Sequence, residues 1–113
     1  YVNSSECLIY EFNHSLKRIE YKNVVSIEKE KDSKKCIIHT LYGSHSIATT
    51  ICDILTKLDD RFIKISRSTI ININQVSEYN KITNEITFLN GNKTTDISRQ
   101  YKKDVVKHVC GFR

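Results

Sequence analysis

Short runs of β-branched and aromatic residues, separated by polar turn residues, constrain the fold of this chain more than any other feature. Phe62–Ile65 is apolar except for Lys64, with alternation over its last three residues, and Thr69–Ile73 returns to β-branched residues after the polar stretch Ser66-Arg67-Ser68. The chain has no proline and only three glycines, so its turns depend on Asn, Asp and Ser. At 113 residues, of which 39% are hydrophobic, it has the length of one domain with a modest core. A mostly β fold is therefore expected.

Periodicity predicts about four strands, a helix, four or five further strands and a final helix. The predicted strands are Cys7–Phe12, Leu16–Tyr21, Val24–Ile27 (or a helical turn there), Cys36–Tyr42, Ser46–Thr49, Phe62–Ile65, Thr69–Ile73, Val76–Ile82, Ile86–Leu89 and Lys93–Ile97. Hairpin turns are predicted at Gly43-Ser44 and at Asn90-Gly91, where both positions of the turn need a positive φ.

Capping residues and apolar spacing predict the two helices. Thr50 and Asp53 fit a capping box, and apolar residues follow at helical spacing until the acidic pair Asp59-Asp60. Ser98 is the predicted cap of the last helix. That helix has an apolar inner side and a basic outer side, formed respectively by Tyr101, Val105, Val106 and Val109 and by Lys102, Lys103 and Lys107.

Catalytic and metal-binding patterns are missing from the sequence. It has no Gly-rich phosphate loop, no H-E-x-x-H and no G-x-S-x-G, so we predict no enzyme, no catalytic residue and no cofactor. His39 and His45 lie on the two arms of a predicted hairpin, but no further ligands accompany them, so no metal site is predicted. No apolar run approaches the 18 residues of a membrane span.

The four cysteines lack C-x-x-C spacing, which argues against a zinc or thioredoxin-type site. Cys36 and Cys52 are interpreted as small buried hydrophobes. Redox control would need two cysteines close in space, and Cys7 with Cys110 is the pair to examine.

Positive charge is concentrated near the end of the sequence. The formal net charge is +5, and residues 99–113 hold five Lys or Arg side chains against one acid, Asp104. A basic surface of this kind suits a polyanionic partner, although a solvated surface has the same composition.

Three predicted connections each carry cations beside hydroxyl groups. An arginine offers a planar fork for bidentate contact with guanine or phosphate, and the first turn of a helix has free amides that favour an anion. A cation in that first turn opposes the helix dipole unless an anion arrives. The three sets are Ser33-Lys34-Lys35, Lys64 with Ser66-Arg67-Ser68, and Ser98-Arg99 followed by Lys102 and Lys103.

Two motifs in this order and spacing resemble the LytTR DNA-binding domain, most closely that of Agr/VirR-like response regulators of Gram-positive bacteria. They are Phe62-x-Lys64-x-Ser66-Arg67-Ser68 with Ile70-Ile71-Asn72, and Ile97-Ser98-Arg99-x-Tyr101-x-x-x-Val105. The resemblance runs from about Glu6 to Val109. It implies an elongated, mostly β fold of about ten strands with two short helices, and DNA contact through loops that enter successive major grooves.

By position, the resemblance also assigns roles to the basic residues. Base-reading or base-adjacent roles fall on Lys34, Arg67 and Arg99. Phosphate contacts fall on Lys35, Lys64, Ser66, Ser68 and Lys102 or Lys103. Relatives often have His-Arg where this chain has Lys34-Lys35, and Arg and His where it has Lys64 and Ser66, so its operator need not match theirs.

The resulting hypothesis is that residues 1–113 form a single output domain, C-terminal to a receiver domain that is absent from this chain. The protein would be a cytoplasmic two-component transcription regulator, an activator, whose receiver is controlled by a sensor kinase. It would bind double-stranded DNA at direct-repeat promoter sites, with possible homodimerisation on the DNA. The alternative is a basic, β-rich module that binds RNA, single-stranded nucleic acid or an acidic protein.

Overall fold

The structure, a computed structural model, describes residues 7–110, except for the side chains of Phe12, Val109 and Cys110. Within this range it has ten strands and two short helices, which confirms the mostly β prediction. The strands are β1 (Cys7–Phe12), β2 (Ser15–Glu20), β3 (Val24–Lys29), β4 (Cys36–Thr40), β5 (Gly43–Ile47), β6 (Phe62–Ser66), β7 (Thr69–Asn72), β8 (Val76–Asn80), β9 (Glu85–Phe88) and β10 (Lys93–Thr94). The helices are α1 (Ile51–Leu55) and α2 (Lys102–Cys110), and 3-10 turns cover Tyr21–Asn23, Ile73–Gln75 and Arg99–Tyr101.

The strands form three antiparallel sheets. A five-stranded sheet in the order β5-β4-β3-β7-β6 is the centre of the fold. The β1-β2 ribbon and a three-stranded sheet, β10-β9-β8, are separate from it. None of the helices in residues 7–110 has the length and apolar character needed to cross a membrane.

Apolar side chains cover both faces of the five-stranded sheet. One cluster joins Ile27 and Ile70 to buried residues of β1, β2 and α1. The other joins Val25 and Ile71 to buried residues of β9 and α2, and partly buried residues of β8 pack against it. Neighbouring residues of β3 and β7 therefore belong to opposite clusters, as expected when successive side chains of a strand point to opposite faces. β7 lies between the two clusters, which is why all four residues of Thr69–Asn72 are buried, including the polar Thr69 and Asn72.

Asn72 is a fully buried polar residue that ties β7 to the start of β3. Its Nδ2 donates to the carbonyl oxygens of Tyr21, at 3.1 Å, and Val24, at 2.8 Å. Its Oδ1 accepts from the Asn74 amide at 3.0 Å. The side chain thus satisfies three backbone groups that lie far apart in the sequence.

Two threonines move element boundaries away from their predicted positions. Gly43-Ser44 lies within β5, and the hairpin turns at Leu41-Tyr42 because the Thr40 hydroxyl donates to the Gly43 carbonyl and accepts from the Tyr42 amide. α1 begins as predicted, with the Thr50 hydroxyl accepting from the Asp53 amide at 3.1 Å, but it ends at Leu55, well before Asp59-Asp60. The Thr56 hydroxyl donates to the Asp53 carbonyl at that end.

Other local predictions were wrong in detail. At Asn90-Gly91 only the glycine has a positive φ, and the connection from β9 to β10 spans four residues, 89–92. The predicted strand Lys93–Ile97 is reduced to the two residues of β10. Cys52 is exposed on α1 and is not a core residue.

Candidate nucleic-acid interface

Three basic connections meet at one end of the five-stranded sheet. Lys29 pairs with Cys36, Glu28 with Thr69, and Ser66 with Thr69, so the β3–β4 and β6–β7 turns lie side by side. Segment 96–99, which leads from β10 toward α2, is hydrogen-bonded to the β6–β7 turn from its other side. We call these three connections, residues 30–35, 66–69 and 96–99, the basic end.

Backbone hydrogen bonds join the three connections. The Lys29 amide donates to the Ser68 carbonyl at 2.8 Å, which links the β3–β4 region to the β6–β7 turn. The Ser98 amide donates to the Ile65 carbonyl, also at 2.8 Å, which links the same turn to the start of the last helical segment. The Arg67 turn is therefore held on both sides by main-chain atoms.

Arg67 and Ser68 are the two turn residues between β6 and β7. Arg67 is exposed, and neither residue has a positive φ. The pairing register shifts between Lys64 and Ser66, an irregularity of the kind that bends a strand and changes the direction of its side chains. Lys64 is half-buried on β6, opposite Ile70.

Ser66 is buried and its hydroxyl is already hydrogen-bonded inside the protein. It donates to Asp96 Oδ2 at 2.9 Å and accepts from the Ser68 amide at 3.1 Å. The Thr69 hydroxyl donates to the same Asp96 oxygen at 2.5 Å. The hydroxyl that is predicted to contact phosphate is therefore held against Asp96, and only 4% of the residue is exposed.

Asp96 and Thr69 are the residues of this region that the sequence analysis missed. Asp96 is the only acid between Glu85 and Asp104, in a stretch that carries several cations. An acid isolated among cations was the sequence feature from which a role for Asp96 could have been predicted. Ile97, which follows it, is buried in the cluster with Val25 and Ile71 and anchors the segment.

The last helical segment starts differently from the prediction. Arg99–Tyr101 forms a 3-10 turn, and α2 begins only at Lys102. Ser98 occupies the cap position, but its side chain makes no capping hydrogen bond. Arg99, Lys102 and Lys103 are exposed, and Val105 is fully buried as predicted, whereas Tyr101 is only half-buried.

Lys34 and Lys35 extend from the β3–β4 turn and are exposed. The turn is closed by the Glu30 amide, which donates to the Lys35 carbonyl at 2.9 Å. The Lys35 amide donates to the Ser33 hydroxyl at 3.2 Å, and Asp32 adopts a φ of 57°. Both ammonium groups are therefore carried by a closed hairpin turn.

The cations of the basic end have no acidic partner among residues 7–110: no ion pair there involves Lys34, Arg67 or Arg99. The ion pairs that do form lie elsewhere, such as Arg61 with Asp59 at 2.9 Å and Lys93 with Glu85 at 3.8 Å. The positive charge of this surface is thus available to an anionic partner.

The histidines do not converge on a metal site. His39 lies between Glu28, 2.7 Å from its Nε2, and Ser44, 2.9 Å from its Nδ1. His45 is directed at the ring of Tyr10, with 6.2 Å between ring centroids. The described part of the chain contains no group of three side chains that would hold a metal ion.

The cysteines that the structure describes are unpaired. Cys36 is buried and donates to the Thr49 carbonyl at 3.2 Å, and burial raises the pKa of its thiol. Cys7 is also buried and free. The side chain of Cys110, the other member of the pair considered for redox control, lies outside the described residues.

Comparison with known proteins gives a family and a fold. Residues 12–109 match the model of the LytTr DNA-binding domain family. Among solved structures, the chain is similar to the LytTr DNA-binding domain of a proposed methyl-accepting/DNA response regulator from Bacillus cereus, with a TM-score of 0.73 and 18% identity over 95% of this chain and 98% of that one. No curated protein matches the sequence.

The family match covers most of the chain and includes every residue of the basic end. The family is one of DNA-binding domains and not of enzymes. The chain therefore belongs to the LytTR family of DNA-binding domains.

Proposed function

We propose that the basic end binds double-stranded DNA sequence-specifically, with its connections entering the major groove. The observation that carries this proposal is the pair of backbone hydrogen bonds that fix three exposed cationic connections to one another. Base readout needs hydrogen-bond donors in fixed relative positions. Connections that are hydrogen-bonded to one another at the end of a sheet can supply such donors without a recognition helix.

Within this proposal, Arg67 and Arg99 read base edges and Lys34 lies next to them. An arginine fork matches the two acceptors of guanine, whereas a lysine is a single point donor on a flexible stem. Phosphate contacts come from flanking polar and cationic groups, which fix the register of the protein on the duplex. These groups are Lys35, Lys64, Ser68, Ser98, Lys102 and Lys103.

The alternative of single-stranded nucleic acid needs exposed aromatic rings among the cations, because base stacking supplies much of the affinity. Tyr42 is 83% exposed, but it lies in the β4–β5 turn, at the other end of the sheet from the basic end. Tyr79 donates its hydroxyl to Asn84 and is only half-exposed. Duplex DNA is therefore the favoured partner.

The wider role rests on family membership. We propose that the chain is the output domain of a cytoplasmic two-component transcription activator that acts at direct-repeat promoter sites. Its receiver domain, responding to a sensor kinase, would promote homodimerisation on DNA.

Selection of bound sites from a randomised duplex pool tests the proposal. A recovered consensus, bound at least ~10³-fold more tightly than a shuffled duplex, is expected for a specific binder. Recovery of no consensus, or equal affinity for the single strands, would contradict it.

The selected duplex then tests the residues that are proposed to contact bases. Arg67→Ala and Arg99→Ala should each lose ~1–3 kcal/mol on the selected duplex and little on the shuffled one. Arg18→Ala, which removes an exposed arginine from the β1–β2 ribbon, is the matched control and should change neither affinity. Equal losses on both duplexes would make the residue a phosphate contact.

A further inference from the structure

We infer that Asp96 is a positioning residue that holds the Arg67 turn in the conformation that reads DNA. This inference rests on the proposed function of the basic end. It concerns a group that does not itself contact bases but acts through Arg67 and couples that turn to the segment that carries Arg99.

The carboxylate of Asp96 joins both sides of the β6–β7 turn. Its Oδ2 accepts from Ser66 at 2.9 Å, where β6 ends, and from Thr69 at 2.5 Å, where β7 begins. Ser66 and Thr69 are 4% and 5% exposed, whereas Asp96 is exposed, so an accessible carboxylate accepts from two buried hydroxyl groups. A carboxylate that accepts two hydroxyl hydrogen bonds makes stronger contacts than a neutral acceptor would.

The same hydrogen bonds orient Arg67 indirectly. Because its hydroxyl hydrogen points to Asp96, the Ser66 oxygen accepts from the Ser68 amide at 3.1 Å, across the turn that presents Arg67. Loss of the carboxylate would free the hydroxyl to rotate and weaken this bridge.

Asp96 itself is fixed from both sides along the chain. Its amide donates to the Thr94 hydroxyl at 3.2 Å, and Ile97, the next residue, is buried. The Ser98 amide then donates to the Ile65 carbonyl. Within residues 96–98, the side chain of Asp96 and the backbone amide of Ser98 therefore both connect the segment that carries Arg99 to the Arg67 turn.

An acid at this position also carries an electrostatic cost for DNA binding. A negative charge beside Arg67 repels phosphates, so a carboxylate with no positioning role would only weaken binding. Its removal should therefore raise affinity for non-specific duplex slightly while it lowers discrimination.

Asp96→Ala should reduce the ratio of affinities for selected and shuffled duplexes about tenfold, the size expected for loss of one well-oriented base contact. Asp96→Asn removes the charge but keeps an oxygen that accepts both hydrogen bonds, so its ratio should stay within about threefold of the wild-type value. Asp60→Ala removes an exposed acid at the opposite end of β6 and controls for the change in net charge. In an Arg67→Ala background, Asp96→Ala should cause a smaller loss of discrimination than it does alone, because only its effect on the Arg99 segment remains.

Three results would overturn the inference: an unchanged ratio in Asp96→Ala, an equal loss on both duplexes, or a loss in Asp96→Asn as large as in Asp96→Ala. If Asp96→Ala fails to fold, Thr69→Val replaces it, since this change removes one hydroxyl donor at nearly constant volume and should also lower the ratio.

Amide hydrogen exchange without DNA separates this inference from the proposed function. Asp96→Ala should accelerate exchange at Ser68 and Ser98 and leave Ile27, in the middle of β3, unchanged. Unchanged exchange at both sites would refute the positioning role. A wild-type protein that does not discriminate between duplexes would instead refute the proposed function. The exchange rates would still test whether Asp96 holds the Arg67 turn.

Discussion

Single side chains at the basic end and at the neighbouring start of α2 differ in what they offer to DNA. Arg67 and Arg99 carry planar forks, whereas the lysines at the start of α2 are point charges on flexible stems. Lys102 and Lys103 are both exposed, and α2 starts at Lys102. A flexible cation at that place suits attraction to the phosphate backbone, which has the same charge for every sequence.

Lys102→Ala should weaken binding to selected and shuffled duplexes alike, because a phosphate contact carries no sequence information. The slope of log affinity against log salt concentration should become shallower by about 1. Titrations by fluorescence anisotropy at several salt concentrations measure both effects. Lys81→Ala, an exposed lysine in the β8–β9 connection, is the matched control. A loss confined to the selected duplex would identify Lys102 as a base reader.

Residue types at the basic end were visible in the sequence, but their burial was not. Cations beside turn residues marked Arg67 and Lys34 as candidates, and both are exposed. The family resemblance assigned a phosphate contact to Ser66 by position alone. The hydrogen-bond partner of Ser66, Asp96, lies 30 residues further along the chain, and no local sequence pattern predicts that hydrogen bond.

Individual elements are joined by a few buried polar groups. Asn72 ends β7 and hydrogen-bonds to three backbone groups, two of which belong to residues that flank or begin β3. Substitution would remove these hydrogen bonds. The Tyr21 carbonyl would still accept from the Val24 amide, whereas the Val24 carbonyl and the Asn74 amide would lose this partner, and each buried group left without a partner costs about 1–3 kcal/mol.

Asn72→Ala should therefore lower the free energy of unfolding by about 2–4 kcal/mol, less than the sum of three losses because the Tyr21 carbonyl keeps its backbone donor. Urea denaturation followed by circular dichroism measures the change. Asn74→Ala removes an exposed side chain of the same type two residues away and should change stability by less than about 0.5 kcal/mol. A loss for Asn72→Ala no larger than that of Asn74→Ala would contradict the role given to Asn72.

The start of α1 was easier to predict than the ends of α1 and β4. The Thr50 cap is a local interaction between neighbours, and it forms as expected. The ends of α1 and β4 depend on Thr56 and Thr40, whose hydroxyls hydrogen-bond to nearby backbone carbonyls and compete with continuation of the element. Propensity alone does not reveal at which of several turn-forming residues the helix or strand will end.

The whole molecule is organised by the five-stranded sheet, which contributes to both apolar clusters. Ile27 and Ile86 are fully buried, one in each cluster. Since β3 and β7 supply side chains to both clusters, neither cluster can lose its packing without disturbing the strands that the other depends on.

Ile27→Ala and Ile86→Ala should each destabilise the protein by about 2–5 kcal/mol, and unfolding should remain a single transition. Urea denaturation followed by two probes, circular dichroism and amide signals of β8 and β9, tests both points. Ile82→Ala, at a side chain that is 95% exposed, is the control and should have little effect. Early loss of the β8 and β9 signals in Ile86→Ala would show that the two halves unfold independently.

The hydrogen bonds that hold the Arg67 turn on either side are formed by backbone amide and carbonyl groups of residues 29, 65, 68 and 98, not by their side chains. Such bonds survive a change of residue type at position 67 itself, at Lys34 and at Arg99. Under the proposed function, binding to a new DNA sequence should therefore need replacement of only a few side chains while the backbone keeps its fold, which makes the domain a suitable starting point for libraries that vary those three positions.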